Sequence, residues 1–245
     1  KIGLFCSVEE QSVIDVPDAT YTIYEVPLTF KTQGLHSIIF NKLNLEDRTP
    51  DLDEFKRFVD KIKKPANEVT VGLVGKYTQY RDSYKSIIEA FIHAGSINNT
   101  RVNIEMVNSE DLNNENIAEI ISKLDGILIG PGFGKRGIEG KILAINYARI
   151  NKIPFFGICL GLQCAVIEFA RNVCGLTRAN SAEFEKTDQN VIDLMEEQRA
   201  IKDKGGTMRL GAYPALLKEN TIAFKAYKSK EISERHRHRF EVNNK

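Results

Sequence analysis

Apolar residues recur along the middle of the chain in two alternating patterns. VTVGLVG (69–75), VNIEMV (102–107), DGILIG (125–130) and IPFFGIC (153–159) are short apolar runs with the length of buried strands. The stretches between and after them carry apolar positions at helical spacing: SYKSIIEAFIHAG, SEDLNNENIAEIISKL, IEGKILAINYARINK and LGLQCAVIEFARNV. Asp82 or Ser83 is placed to cap the first of these helices, and Gly95 to stop it. Strands alternating with helices predict an α/β fold, a mostly parallel central sheet flanked by helices. Ligands on such sheets bind outside the carboxyl ends of the strands. The loops to inspect are therefore GPGFGKRG (130–137) and GICLG (157–161).

The flanks read differently. Residues 1–45 open with an expected strand, Ile2–Cys6, and end in a mixed segment, GLHSIIFNKLNL. Residues 46–68 are charged, with Phe55, Phe58, Val59 and Ile62 at helical spacing between Pro50 and Pro65, which predicts a connector helix. Beyond residue 180 the Gly205-Gly206 pair and short alternating runs suggest hairpins. Residues 1–45, 46–68 and 69–245 are thus expected to form three parts.

Composition narrows the classes. With 42% hydrophobic and 27% charged residues over 245 positions, the chain is an ordinary globular polypeptide with length for a real core. A formal net charge of +1 gives no global pull toward nucleic acid or an anionic membrane. No apolar run reaches the roughly 18 residues of a membrane span. Four cysteines without CxxC spacing suggest reduced thiols in a cytoplasmic protein, and four scattered histidines give no metal-ligand cluster. The chain begins without Met, in the style of mid-strand, and is expected to be a piece of a longer polypeptide.

Cys159 lies between a predicted strand and a predicted helix, in Gly157-Ile158-Cys159-Leu160-Gly161. A free cysteine is ordinarily a buried structural thiol. Here two glycines and a strand-to-helix switch make a nucleophile elbow, with cysteine in the place of serine. The helix N-terminus offers unpaired N–H groups and partial positive charge, which predicts a lowered thiol pKa. The Leu160 N–H is placed to bind an oxyanion. Cys164 and Cys174 lack that context and are expected in the core or on the surface. The four glycines of the 130–137 loop free backbone N–H groups for a ligand, with Gly132 as a second oxyanion donor. Neither a Walker pattern nor a GxGxxG fingerprint is present.

These motifs resemble class I glutamine amidotransferases and, more specifically, the CTP synthase family. The matching stretches are VTVGLVGKY, GFGKRGIEGKI, PFFGICLGLQCAVIEFARNV, NSAEF, GGTMRLGAYP and SERHRHRFEVNN. KIGLFCSVEEQSVIDVPDATYTIYEVPL is similar to the end of that family's synthetase domain. The resemblance implies that glutamine is hydrolysed through a Cys159 γ-glutamyl thioester, supplying ammonia for ATP-dependent amination of UTP to CTP. It implies that Gly132 and the Leu160-Gly161-Leu162-Gln163 backbone hold the glutamine, Glu183 its ammonium and Arg239 its carboxylate. Phe133 and Arg136 match a lid answering to a GTP effector. Lys1 matches a UTP/CTP contact, and Pro17, Asp18 and Ala19 match the lining of an ATP adenine site. No cofactor is implied for this chain itself; ATP with Mg, the GTP effector and a homotetramer are implied for the full enzyme.

The chain departs from the family in three ways. It reads GPGFG where the family reads PGGFG, so Pro131 sits one place later in the oxyanion loop. The family's HPE motif, carrying a catalytic histidine and glutamate after EVNN, does not occur, and the amidotransferase part is expected to be cut short. The synthetase P-loop is absent from the front. His238 with Glu241 is set aside as a replacement base because arginines surround it. RHRHR is too short to indicate nucleic acid in a neutral chain. Two alternatives stay open: another cysteine γ-glutamyl hydrolase on the same fold, and a non-catalytic glutamine-binding module.

Overall fold

The computed structural model describes residues 1–199, 206–207 and 209–244. Two compact units emerge, one of Lys1–Thr70 with Tyr84–Ile104, the other of Val71–Ser83 with Glu105–Lys245.

The first unit opens with α1 (Ile2–Phe5), one turn of helix where a strand was expected. A strand needs a neighbour to take its amide groups. Here Phe5 N–H donates to Lys1 O at 3.0 Å and Cys6 N–H to Ile2 O at 2.9 Å, so the segment satisfies itself. Next come α2 (Val26–Thr32) and α3 (Leu35–Lys42). The predicted connector helix is α4 (Asp53–Lys63), with Asp53 and Glu54 in its first turn and Lys61 and Lys63 in its last, matching the helix dipole. Its Phe58 meets the Tyr24 ring edge-on at 5.0 Å, and its Val59 is buried. The strand β1 (Asn67–Gly75), only its start assigned to this unit, is followed by a 3₁₀ turn at Arg81–Tyr84 and then α5 (Lys85–Ile97). That turn displaces the expected cap: α5 starts from Tyr84 with no side-chain cap bond. Gly95 does not stop the helix either. A Cβ there would lie 2.4 Å from Thr100 O, so glycine serves the close return of β2 (Thr100–Asn108).

In the second unit the predicted 109–124 helix shrinks to α6 (Ile117–Ile121). Asn113, Asn116 and Asp111 explain the loss. Asn113 Oδ1 accepts from Glu115 and Asn116 N–H, while Asn116 Nδ2 donates to Asp111 O, so side chains bind the backbone in turns that compete with helix. The strand β3 (Gly126–Ile129), helix α7 (Ile138–Asn151), strand β4 (Phe155–Gly157) and helix α8 (Leu160–Asn172) follow as expected in type. The sheet order is β2-β1-β3-β4. The pairs β1–β3 (Val71 opposite Gly126) and β3–β4 (Ile127 opposite Phe155) are parallel. The core gathers Val74, Ile127, Ile129, Ile142, Ile145, Leu160 and Ile167 between sheet and helices. This is the predicted α/β architecture.

The remaining elements are β5 (Asn180–Ser181), β6 (Asn190–Leu194), β7 (Arg209–Leu216), α9 (Ile222–Tyr227), β8 (Glu231–Arg237) and β9 (Phe240–Val242). They make a small β5-β6-β9 sheet and an antiparallel β7–β8 pair. The turn expected at Gly205-Gly206 falls partly outside the described residues, since Gly205 is not among them.

Candidate active site

Cys159 sits at the corner between β4 and α8 with φ 53° and ψ −104°, a backbone conformation a residue with a Cβ rarely adopts. The two flanking glycines make the corner possible. A Cβ on Gly157 would lie 2.6 Å from the Gly161 carbonyl carbon, and a Cβ on Gly161 would lie 2.3 Å from Ile129 O. Ile158 N–H continues the ladder to Ile129 O at 3.0 Å, so β3 holds the corner in place. Gln163 N–H donates to Cys159 O at 3.1 Å and starts α8 immediately after it.

The glycine-rich loop lies at the end of β3. Gly130 N–H donates to Val74 O at 3.1 Å, and Gly134 takes φ 73°. Two side chains then fasten the loop. Lys76, just past β1, donates from Nζ to Phe133 O at 2.6 Å. Glu183 Oε1 accepts from Gly134 N–H at 2.9 Å. Arg136 pairs with Glu110 at 3.2 Å and lies 4.8 Å from the Tyr77 ring centroid.

Elbow and loop enclose a cavity of about 460 Å³, within the range of roughly 300–1,000 Å³ usual for small-molecule sites. Its lining brings together Cys159, Gly132, Gln163, Glu183 and Arg239 from the sequence-derived set, with exposed Phe133. The structure does not place every residue of that set there. Leu160 is buried in the core, and its N–H draws the Cys159 thiol pKa down. Gly161 spends its N–H on Ile158 O, and the Leu162 side chain is exposed. Arg136 is outside the lining. The Arg239 guanidinium is held by Gln198 Oε1 at 2.8 Å and Thr207 Oγ1 at 3.0 Å. Gln163 Nε2 donates to Phe240 O at 3.0 Å, tying α8 to β9 at the cavity wall.

Electrostatics correct one expectation. Burial pushes the Cys159 thiol up, and its effect outweighs the Leu160 N–H that draws it down. Glu183 adds to the rise and Lys141 opposes it. A single N–H at the helix start does not outweigh desolvation here. His238, set aside on sequence grounds, lines the cavity; burial first, then His236, lowers its pKa, disfavouring the imidazolium. Glu241, its proposed companion, is not in the lining. Cys164 is fully buried with its pKa pushed up to about 12 by burial, whereas Cys174 is exposed just past the end of α8.

Sequence reasoning missed Lys76, Gln198 and Lys141. Lys76 had a signal, being the first charged residue after a buried strand, at the carboxyl end where sites form. Lys141 had one too, since it falls on the stripe of Ile138, Ile142 and Ile145. Gln198 had none: its partner Arg239 is 41 residues away.

In the first unit, Pro17, Asp18 and Ala19 line a separate cavity of about 150 Å³ with Val16, Thr20, Glu25 and Phe30. Lys1 precedes α1, is exposed, and does not line it.

Comparison with known proteins bears on both parts. The family model "Glutamine amidotransferase class-I" matches residues 80–245, and "CTP synthase N-terminus" matches residues 1–45. The chain is 58% identical to a CTP synthase of Methanocaldococcus jannaschii over 99% of its own length and 46% of that protein's. It is 53% identical to a CTP synthase of Flavobacterium johnsoniae over 100% of its length and 46% of that protein's. The chain thus spans about half the length of the curated relatives it matches. A solved structure of the Trypanosoma brucei CTP synthase glutaminase domain with bound acivicin superposes with a TM-score of 0.65 at 40% identity, covering 71% of this chain and 68% of that one. The chain belongs to the class I glutamine amidotransferase family, and its residues 1–45 match the CTP synthase N-terminus model.

Proposed function

We propose that this chain is the glutaminase portion of a CTP synthase. Cys159 Sγ attacks the γ-carboxamide carbon of L-glutamine. The oxyanion forms between the Leu160 and Gly132 N–H groups. Collapse of the tetrahedral intermediate breaks the C–N bond and releases ammonia. Water then hydrolyses the γ-glutamyl thioester to glutamate and frees the thiol. Glu183 meets the substrate ammonium and Arg239 its carboxylate, as charge-assisted pairs. The observation that carries this reading is a strained cysteine elbow facing one cavity with a carboxylate and a guanidinium on its walls. That pairing suits an α-amino acid. The acivicin bound to the trypanosomal domain, a glutamine analogue, supports the same substrate.

In the longer protein the ammonia converts UTP to CTP at ATP's expense. The cavity at Pro17–Ala19 and the segment at Lys1 would contribute to nucleotide sites there, and the Phe133–Arg136 loop to GTP control in a cytoplasmic tetramer. The test is ammonia release from glutamine in the full-length protein. Cys159→Ala should abolish glutamine-dependent CTP formation and leave ammonia-dependent formation intact. Loss of both would count against a purely nucleophilic role. Turnover of γ-glutamyl peptides in place of glutamine would favour the other hydrolase class.

A further inference from the structure

Lys141 stands out among the buried side chains. It lies on the core-facing stripe of α7 and has no solvent exposure. Among the described residues, its Nζ is buried without a hydrogen-bond partner. An unpaired buried donor ordinarily costs about 1–3 kcal/mol, and a methionine would fill the same space without that cost. Its position is specific. A Cβ on Gly132 would lie 3.6 Å from Lys141 Nζ and 3.2 Å from Leu160 Cδ2. The amine therefore sits behind the loop that lines the Cys159 cavity, close to the residue that follows Cys159.

The other charged groups around it are engaged. Lys76 binds Phe133 O, Glu183 binds Gly134 N–H, Glu110 pairs with Arg136, and Glu139 pairs with Arg171. Cys164 on α8 is a buried thiol whose pKa burial pushes up to about 12, and burial also disfavours the charged form of His238 on the cavity wall. Among these described groups, Cys159 is the one whose function requires a buried negative charge.

We propose that Lys141 is a positioning residue for the glutaminase step: its ammonium is the buried counter-cation of the Cys159 thiolate. When Sγ loses a proton, Nζ holds one, so the site passes from thiol plus amine to thiolate plus ammonium without changing its net charge. An ion confined to low dielectric needs such a partner. Burial disfavours the charged form of each group alone; Cys164 and then Cys159 favour the Lys141 ammonium while Lys76 opposes it, and Lys141 favours the Cys159 thiolate. The inference rests on Cys159 being the nucleophile, but its test does not use glutamine turnover.

The experiment follows the pH dependence of iodoacetamide alkylation at each cysteine by peptide mass spectrometry, in the full-length protein and its Lys141→Met variant. The expected result is a rise of about one pH unit in the Cys159 midpoint, or roughly tenfold slower alkylation at fixed pH below it. Exposed Cys6 and Cys174 should be unmoved. An unchanged Cys159 midpoint in a folded variant overturns the proposal. A reciprocal measurement covers a variant that fails to fold. Coupling is mutual, so in Cys159→Ala the Lys141 Nζ titration, read by NMR of labelled lysine, should move to lower pH. An unmoved lysine contradicts the pairing. Absence of glutamine turnover with both shifts present would sink the substrate assignment and leave the Lys141–Cys159 pair standing.

Discussion

The corner at Cys159 is set by what its neighbours lack. Gly161 has Ile129 O where a Cβ would stand, at 2.3 Å. Neither backbone can retreat, since the sheet holds one and α8 the other. Gly161→Ala should cost on the order of 1–3 kcal/mol of stability, read by denaturant unfolding, and should slow Cys159 alkylation. Arg239 acts differently, because Gln198 and Thr207 hold it in the cavity before any ligand arrives. Arg239→Ala should raise the glutamine KM about 10–100-fold with little change in kcat, since ground and transition states share the contact. A fall in kcat alone would contradict that role. The elbow was legible in the sequence because its chemistry is local, five residues between a strand and a helix. The direction of the thiol pKa was not, because burial by distant segments outweighs the local N–H.

Among elements, α7 and α8 hold the site from behind. Glu168 on α8 is buried and accepts from Arg149 at 2.8 Å, Asn146 at 2.8 Å and Asn172 at 3.1 Å. Burial pushes its carboxyl up, but these bonds together hold it below the ordinary range. A depressed folded pKa stabilises at neutral pH, and that stability is lost as pH falls through the folded value. Glu168→Gln should therefore destabilise by about 1–3 kcal/mol at pH 7, discounted because Arg149 is partly exposed. The deficit should shrink as pH falls below the carboxylate range, when the wild-type side chain is itself neutral. A deficit independent of pH would remove the charge from the explanation. Strand and helix types were readable here because the apolar periods are strong. The errors arose where local chemistry competes with pattern: the asparagine turns before α6, the 3₁₀ turn before α5, and Gly95.

At the scale of the molecule, the sequence carries two family signals. Residues 80–245 match the amidotransferase family, and residues 1–45 match the CTP synthase front segment. Each corresponds to its own cavity, one around Cys159 and one around Pro17–Ala19. The parallel sheet follows from strand–helix alternation. The cavity's far wall does not, because His238 and Arg239 reach it from the turn between β8 and β9 and Phe240 from the start of β9, about 80 residues after the nucleophile. No short-range pattern reports such a pairing.

The most direct measurement is covalent labelling with acivicin, mapped by peptide mass spectrometry with and without L-glutamine. A cavity built for glutamine around an active thiol should give one adduct, on Cys159, suppressed by glutamine and absent from Cys159→Ala. Labelling spread over exposed Cys6 and Cys174, or a Cys159 adduct indifferent to glutamine, would contradict it.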